Sequence, residues 1–401
     1  MKILITSDWY APAVNGVVTS VLNLRRELEA RGHEVRVLTL AGSRRSTVEN
    51  GVYAVGSVDA GRIYPGARLR SAAAGPMVQE LIRWRPDVVH SQCEFSTFFL
   101  ARQIARAANA PLVHTYHTVY EDYTHYFSPS RRWGRRAAAL FSRLILSQTD
   151  AVVAPTEKVK NLLLGYGVRQ PVYVVPTGID LRPFQAPADP AQRAAGRAAL
   201  GIPAHNRVLL YLGRLAQEKN LDELLESRAA LGADAPVTLL IVGGGPERHR
   251  LAERAAALGL AENGAVVFAG MVPPARVPEF YALGDVFVSA STSETQGLTY
   301  IEALAAGLPL VCRADPCLAG VVENGANGWQ YHTAAQRQSC LERLLADEPL
   351  RAAMARQAAA SAERFSAQRF GGTMARLYRA QMWRSGGAVA PQEGELLWQG
   401  I

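Results

Sequence analysis

The sequence predicts an α/β protein built from two doubly wound parallel sheets, and three observations support this fold class. Short runs rich in Val, Ile and Leu alternate with amphipathic helical segments along the chain. The alternation begins twice, first at Lys2 and again at Arg207. A chain of 401 residues, 49% of them hydrophobic, is long enough for two cores at roughly 100 to 200 residues per domain.

The first half contains six predicted strands. They are residues 2–6, 34–40, 87–91, 111–116, 151–155 and 172–176. Between the first two strands, helical spacing is followed by Val18, Val21, Leu22 and Leu28, and Gly32 is expected to end this helix. Strand, helix and strand therefore form the repeated unit of this half.

The second half repeats the scheme. Its predicted strands are residues 207–213, 237–243, 265–270, 286–291 and 308–312. Residues 175–192 are rich in Pro and lack periodicity, which predicts a linker. We expect a domain over 1–182 that is completed by a helix at about 366–384. A second domain over 183–365 and a tail over 385–401 account for the rest.

The formal net charge of +8 lies entirely in the first half. Residues 1–180 carry 22 Lys/Arg and 14 Asp/Glu, whereas the remainder carries 21 of each. An acidic partner is therefore expected to meet the first half. A nucleic-acid-binding protein is the alternative from another class, but the basic segments lack the interleaved aromatics of known RNA modules. The sequence thus predicts no nucleic-acid partner.

The cysteines and the apolar segments indicate the compartment. The four cysteines fit neither a zinc framework nor a disulfide scaffold, and we expect buried thiols in a reducing compartment. They are Cys93, Cys312, Cys317 and Cys340. The first ten residues lack the apolar stretch of a signal peptide, and no segment reaches about 18 uninterrupted apolar residues. A cytoplasmic protein is predicted.

A polar loop over Ser293–Gly297 opens directly into a helix after the strand at 286–291. The free amides and positive end of such a helix favour a phosphate. Glu294 and Glu302 flank the start of this helix, and carboxylates accept hydrogen bonds from the hydroxyl groups of sugars. The alternative is one capping and one solvated glutamate.

Two cations follow the strand at 207–213, namely Arg214 and Lys219. Cations near a strand end and a helix N-terminus can neutralise the charge that develops on a leaving diphosphate. Two ordinary surface cations are the alternative. Gly243–Gly245 lacks the G-x-G-x-x-G pattern and its ribose-binding acid, so a dinucleotide site is disfavoured. Gly16 would let the backbone approach a ligand closely.

These motifs together resemble the retaining glycosyltransferases of family four. The resemblance rests on N-G-V-V-T-S-V at 15–21, P-T-G-I-D at 176–180, G-R-L-x-x-E-K-N at 213–220, the E-x7-E element and the helix after Phe365. It implies the GT-B fold, in which two Rossmann-like domains face a central cleft. It also implies a hexosyltransferase that uses a UDP-sugar.

The resemblance assigns roles to individual residues. The implied catalytic residues are His117, Glu294, Arg214 and Lys219. The implied donor-binding residues are Gly16, Arg214, Lys219, Met271, Glu294, Gly297, Leu298 and Glu302. Within these sets, Arg214 and Lys219 would hold the diphosphate, Glu294 the transferred sugar and Glu302 the ribose. His117 matches the family histidine that donates toward the donor sugar.

The segment HTVYEDYTHYF at 117–127 is similar to a block of cytoplasmic, membrane-associated enzymes that glucosylate diacylglycerol, and SETQGLTYIEALAAG at 293–307 is also close to that subgroup. This similarity implies glucose as the sugar, 1,2-diacylglycerol as the acceptor, and an acceptor pocket after the histidine. The implied acceptor-binding residues are Tyr120, Glu121, Asp122 and Tyr126. A zinc site would need a third ligand at matching spacing, so none is predicted. Phosphatidylinositol, another glycolipid, a soluble sugar or a polysaccharide stays open as the acceptor.

The arginines after this block fall on one side of a predicted helix. At 100° per residue they span about 140°, with apolar side chains opposite. The arginines are Arg131, Arg132, Arg135, Arg136 and Arg143, and the apolar side chains are Trp133, Ala137, Leu140, Phe141 and Leu144. This pattern predicts contact with an anionic membrane surface, at the inner face of the cell membrane. The alternative is a helix that packs its apolar face on the sheet and solvates its arginines.

No D-x-D motif occurs, and the resemblance implies no required cofactor and no metal site, while stimulation by Mg²⁺ stays open. The sequence does not determine whether the sugar is glucose or galactose, how many sugars are added, or the oligomeric state.

Overall fold

The computed structural model describes residues 1–61, 68–70, 74–121, 130–186, 189–232 and 234–385. The chain divides into two compact units. The first unit contains Met1–Ile179 together with the chain from Phe365 onward, and the second contains Asp180–Arg364. Each unit holds one large sheet, so the predicted α/β class with two doubly wound parallel sheets is confirmed.

The first unit begins with strands and helices in alternation. Its strands are β1 (Lys2–Thr6), β2 (Glu34–Leu40), β3 (Thr47–Glu49), β4 (Val52–Val55), β5 (Ser57–Asp59), β6 (Arg68–Arg70), β7 (Val88–Ser91), β8 (Leu112–Thr115), β9 (Ala151–Ala154) and β10 (Val172–Val174). Its helices up to the second unit are α1 (Gly16–Ala30), α2 (Gly75–Trp84), α3 (Ser96–Ala108), α4 (Arg131–Leu146) and α5 (Glu157–Gly165).

The second unit continues the numbering. Its strands are β11 (Arg207–Leu212), β12 (Val237–Val242), β13 (Val266–Gly270), β14 (Val286–Ser289), β15 (Leu310–Arg313) and β16 (Gly328–Tyr331). Its helices are α6 (Arg182–Gln185), α7 (Pro190–Ala199), α8 (Leu221–Ala230), α9 (Arg248–Ala257), α10 (Val277–Leu283), α11 (Leu298–Ala305), α12 (Ala334–Ala346) and α13 (Glu348–Ala362). The last described helix, α14 (Ala367–Ser385), belongs to the first unit.

The strand order identifies where each sheet can bind a ligand. The first sheet runs β10-β9-β8-β7-β1-β2-β4-β3 and is parallel except for β3. The second runs β13-β12-β11-β14-β15-β16 and is parallel throughout. The order reverses between β1 and β7 and between β11 and β14. In doubly wound sheets, ligands bind beyond the carboxyl ends of the strands at such a reversal.

The segment predicted as a linker is more regular than expected. It contains α6 and the first residues of α7. Asp189 caps α7 by accepting a hydrogen bond from the amide of Ala191 at 3.0 Å, and Pro190 suits the first helical position. The predicted linker therefore contains helical residues, because a proline in the first turn favours a helix start.

Helix α14 completes the core of the first unit. Its Phe370, Met374 and Tyr378 are buried with Ile3 of β1 and Val21 of α1. The amide of Ala367 donates to the carbonyl of Ile179 at 2.8 Å, which joins the start of α14 to the end of the first unit's main segment.

All four cysteines are free, and three are buried while Cys340 is half-buried. Among the residues that the structure describes, no helix combines the length and apolar character needed to cross a bilayer.

Candidate active site

Lys219 and Glu294 form an ion pair at the reversal point of the second sheet. The Nζ of Lys219 lies 2.6 Å from Oε1 of Glu294, and the two side chains are only 16% and 18% exposed. Lys219 ends a short 3₁₀ helix after β11, whereas Glu294 lies in the loop between β14 and α11. The structure thus brings together two of the predicted catalytic residues, which are 75 positions apart in the chain.

Arg214 is exposed in the loop after β11. Its carbonyl accepts a hydrogen bond from the hydroxyl of Tyr211 at 3.0 Å, which anchors the backbone at this position. The loop after β12 packs closely against the loop after β11. A Cβ atom added at Gly243 would lie 1.9 Å from the carbonyl oxygen of Gly213. Only glycine allows this approach. Met271, a predicted donor-binding residue after β13, is 84% exposed.

Helix α11 begins at Leu298, directly after Gly297. Gly297 has a φ of 72°, and a Cβ there would lie 2.4 Å from the ring of Tyr300, so glycine is required on both grounds. The first amides of a helix have no intrahelical acceptor, and the helix dipole adds positive potential at this end. The start of α11 can therefore bind an anion, as the sequence predicted for a phosphate.

Glu302 lies within α11 and has a perturbed acidity. Its Oε2 accepts a hydrogen bond from the hydroxyl of Tyr281 at 2.7 Å. Burial raises the pKa of the Glu302 carboxyl to about 7, and the tyrosine hydrogen bond only partly offsets this rise. The group consequently changes charge near neutral pH, which distinguishes it from an ordinary solvated glutamate.

We expect the substitution Glu302→Gln to stabilise the protein in a pH-dependent manner. Because the folded-state pKa is raised from 4.5 to about 7, the carboxylate costs folding free energy above pH 7 and nothing below pH 4.5. The amide avoids this cost and still accepts from Tyr281. At pH 8 the free energy of unfolding of the variant should exceed that of the wild type by at most about 3 kcal/mol. This difference should vanish toward pH 4.5.

Thermal unfolding of both proteins across this pH range measures the effect. Glu279→Gln is the matched control, because Glu279 pairs with Arg276 on the surface and both side chains are about 60% exposed. Equal stability differences at pH 4.5 and pH 8 would contradict the assigned acidity of Glu302.

His117 lies after β8 in the first unit, beside the reversal point of its sheet. Its Nε2 lies 2.7 Å from Oε1 of Gln92, which follows β7. Burial lowers the pKa of His117 to about 4, so the imidazole is neutral at pH 7. Sequence analysis singled out His117 and missed Gln92.

Glu94 is a second residue that the sequence analysis missed. The Tyr120 hydroxyl donates to Oε2 of Glu94 at 2.6 Å, and Nε2 of His114 lies 3.2 Å from its Oε1. Asp8, which follows β1, lies nearby, and burial raises its pKa to about 6. Both acids follow strands that flank the reversal point, and that position is the signal that could have identified them.

Of the remaining predicted residues of the first unit, the structure describes some and not others. Gly16 is the first residue of α1, and the side chain of Asn15 caps that helix by accepting from Val18 N at 2.9 Å. Glu121 lies 3.8 Å from Arg135, which joins a predicted acceptor residue to a predicted membrane residue. The remaining predictions, Asp122, Tyr126 and the side chain of Arg131, lie outside the described residues.

Helix α4 buries a face that the helical projection did not identify. The side facing the core carries Gly134, Ala138, Ser142, Ile145 and Leu146. The apolar stripe, which we define as Trp133, Leu140 and Leu144, is instead 69%, 49% and 55% exposed. The alternative in which α4 packs its apolar face on the sheet is wrong for these three side chains, whereas Phe141 of the same predicted face is half-buried and packs against the core.

The arginines of α4 lie beside the apolar stripe. Arg132, Arg135, Arg136 and Arg143 are all exposed. Within the described part of the chain, no group of three or more His, Cys, Asp or Glu side chains is arranged to hold a metal ion.

Comparison with known proteins identifies the family. The model of Glycosyltransferase Family 4 matches residues 14–182, and that of Glycosyl transferases group 1 matches residues 192–361. The alpha-monoglucosyldiacylglycerol synthase of Streptococcus pneumoniae (strain ATCC BAA-255 / R6) is 34% identical over 335 residues, which covers 83% of this chain and 75% of that protein. The chain belongs to glycosyltransferase family 4.

Further comparisons agree with this assignment. A second alpha-monoglucosyldiacylglycerol synthase, from Acholeplasma laidlawii, is also 34% identical and covers 82% of this chain and 84% of that protein. The structure of Anabaena Alr3699/HepE in complex with UDP-glucose superposes with a TM-score of 0.72 at 20% identity, covering 94% of this chain and 99% of that one. The family 4 enzyme therefore has the GT-B fold and is a retaining hexosyltransferase, as the sequence analysis expected.

Proposed function

We propose that this family 4 enzyme transfers a hexose, in the first instance glucose, from a UDP-sugar to 1,2-diacylglycerol at the cytoplasmic membrane surface. The observation that carries the acceptor is the exposed apolar stripe of α4 beside exposed arginines. The 34% identity to two alpha-monoglucosyldiacylglycerol synthases supports the same acceptor.

The second unit, predicted as residues 183–365, is proposed to bind the donor. The start of α11 and Lys219 offer positive potential, and exposed Arg214 adds a guanidinium, so these groups suit a diphosphate. Glu294 is proposed to contact the transferred sugar, and Glu302 the ribose hydroxyls. Met271 offers an exposed apolar surface for the nucleobase.

The reaction exchanges one bond at the anomeric carbon for another. The bond from this carbon to the diphosphate oxygen breaks, and a bond to the acceptor hydroxyl oxygen forms on the same face of the sugar. The proton of the acceptor hydroxyl passes to the departing diphosphate. Negative charge grows on that diphosphate as it leaves, and fixed cations and helix amides stabilise it most at that point.

The first unit, predicted as residues 1–182 with the helix at 366–384, is proposed to bind the acceptor. Tyr120 and Glu121 lie in the loop after β8, the same loop that carries His117. Phe95 and Phe99 at the start of α3 are 48% and 55% exposed, and Phe95 stacks on Phe141 of α4 at 5.8 Å. These rings extend the apolar surface of α4 toward Tyr120, which is consistent with an acceptor that enters from a bilayer.

Measurement of UDP release across donors and acceptors tests the proposal. We expect release from UDP-glucose to rise at least tenfold when diacylglycerol is added to anionic vesicles, and mass analysis to show one hexose on the lipid. The same vesicles without diacylglycerol control for membrane contact alone. A parallel series with EDTA and with Mg²⁺ tests the metal dependence.

Other acceptors form the competing hypothesis. Phosphatidylinositol, a glycolipid, a soluble sugar or a polysaccharide would each be offered under identical conditions. Preferential glycosylation of any of these over diacylglycerol would replace the proposed acceptor while leaving the family assignment intact.

A further inference from the structure

Glu94 connects strand β8 to the loop that follows it. The Tyr120 hydroxyl donates to Oε2 of Glu94 at 2.6 Å, and Nε2 of His114 in β8 lies 3.2 Å from Oε1. Glu94 itself follows β7 and is only 4% exposed, and His114 is buried as well. One carboxylate therefore contacts both a central strand and the loop that carries His117 and Tyr120.

The contact with Glu94 engages the hydroxyl of Tyr120. Burial, together with the nearby carboxylate, raises the pKa of Tyr120 well above its usual value, so the phenol keeps its proton. Carboxylate oxygens accept hydrogen bonds, and this proton is donated to Oε2 of Glu94. Because Glu94 is buried, the hydroxyl end of Tyr120 points toward the interior of the first unit.

The ring of Tyr120 lies among other aromatic rings. Its centroid is 5.7 to 6.1 Å from three neighbouring centroids, and each pair meets edge to face. The neighbours are Phe95, Tyr116 and Phe141. Such contacts favour one orientation of the ring. Tyr120 is half-buried and Phe95 is 48% exposed, so the Tyr120 ring borders the apolar surface where Phe95 stacks on Phe141.

We propose that Glu94 is a positioning residue for the acceptor. It holds the Tyr120 hydroxyl, so that Tyr120 offers its ring, and not its hydroxyl, to the apolar part of the lipid acceptor. The inference deepens the proposed function and rests on the lipid acceptor proposed there. It gives Glu94 a role and narrows that of Tyr120, which the family resemblance implied only as acceptor-binding.

The competing arrangement is a Tyr120 hydroxyl that binds the acceptor directly. It requires the hydroxyl to leave Oε2 of Glu94, which would take a hydrogen-bond donor from a carboxylate that is only 4% exposed. Leaving a buried charged group without a donor costs free energy. The contacts therefore favour the ring as the part of Tyr120 that meets the acceptor.

Steady-state kinetics of two Glu94 variants test the positioning role. Glu94→Leu removes both oxygens, and KM for diacylglycerol should rise about tenfold while KM for UDP-glucose changes less than about threefold, since a displaced contact residue weakens the aligned complex. Glu94→Gln keeps an oxygen that accepts from Tyr120 and an NH₂ that can face His114, so KM for diacylglycerol should return to within about threefold of the wild type. Equal losses in both variants, or a parallel rise of both KM values, would overturn the proposal.

Substitutions of Tyr120 separate the ring from the hydroxyl. Tyr120→Phe frees the ring from Glu94, so its effect on KM for diacylglycerol should match that of Glu94→Leu. The double variant should lose no more than either single variant, because both substitutions remove the same contact. Tyr120→Ala also removes the ring and should raise KM further. A hydroxyl that binds the acceptor directly predicts additive losses from Tyr120→Phe and Glu94→Leu, and that result would contradict the proposal.

Tyr116→Phe is the matched control. It removes a buried hydroxyl that contacts Ser142 at 2.8 Å, on a ring that also packs edge-on against Tyr120. We expect this variant to keep the wild-type KM for diacylglycerol. A rise equal to that in Tyr120→Phe would show that the loss of any hydroxyl in this aromatic group has the same effect, which would remove the special role of Glu94.

Thermal unfolding tests the contact without any substrate. The double variant Glu94→Leu, Tyr120→Phe should lose less in melting temperature than the sum of the two single variants, because the second substitution removes a contact that is already lost. Strictly additive losses would overturn the contact and the proposal with it. A wild-type enzyme that does not glycosylate diacylglycerol refutes the proposed acceptor instead, and leaves the thermal result unchanged.

Discussion

Replacing Lys219 by alanine is expected to lower kcat/KM for UDP-glucose by about 10² to 10³, the usual effect of removing one group that stabilises developing negative charge. The substitution also removes the cation 2.6 Å from Glu294, so less positive charge offsets this carboxylate next to a bound diphosphate. Both effects act in the same direction. Steady-state UDP release with saturating acceptor measures kcat/KM for UDP-glucose in the variant and the wild type.

The control for this prediction is Lys160→Ala. Lys160 pairs with Glu157 at 3.6 Å on the surface of α5, so it tests the loss of a lysine in an ordinary helical ion pair. We expect Lys160→Ala to keep wild-type kcat/KM. The double variant Lys219→Ala, Glu294→Gln measures the coupling of the pair, and strictly additive effects would argue against a shared role. Wild-type turnover of Lys219→Ala would remove Lys219 from the site.

Replacing the apolar stripe of α4 by serine, at Trp133, Leu140 and Leu144 together, is expected to reduce sedimentation with anionic vesicles at least tenfold. These side chains are 49% to 69% exposed, so membrane contact can bury further apolar area, which stabilises binding by about 25 cal/mol per Å². The melting temperature should change little, because the core-facing side of α4 is untouched.

Leu164→Ser controls for the loss of an exposed leucine, since Leu164 is 49% exposed on α5. Arg132→Glu with Arg136→Glu tests the charged side of α4, and binding should fall most at low salt, where electrostatic attraction is least screened. UDP release by the serine variant in the absence of lipid should match the wild type. Undiminished vesicle binding by the serine variant would rule out α4 as the membrane contact.

The sequence located long apolar strands well and short strands poorly. Strands β1 and β2 have the predicted bounds, because their apolar runs are bordered by polar residues or turns. Strand β3 has three residues, all exposed, so no apolar run marks it. Strand β16 has four residues and starts with a glycine, and its pairing with β15 is a tertiary contact that local patterning does not encode.

Site residues that lie in a recognisable local motif could be predicted from the sequence. Contacts between residues that are far apart in the chain could not. Lys219 and Glu294 were identified from local patterns, and their pairing appeared only in the fold. Gln92 contacts His117 from 25 positions away, in the loop after a neighbouring strand. Helix α4 shows a related limit: apolar side chains usually face the core, but here Gly134 and Ala138 are buried while Trp133 is exposed.

Helix α14 makes the first unit depend on segments from both sides of the second unit. The ribosome synthesises Ile3 and Val21 before the second unit, whereas their core partners Met374 and Tyr378 emerge after it. The apolar surface that receives α14 must therefore stay uncovered while the contiguous segment Asp180–Arg364 is made. A nascent polypeptide that has not reached α14 would present that surface to chaperones, and His90 would lack the Tyr378 hydroxyl until α14 has been made.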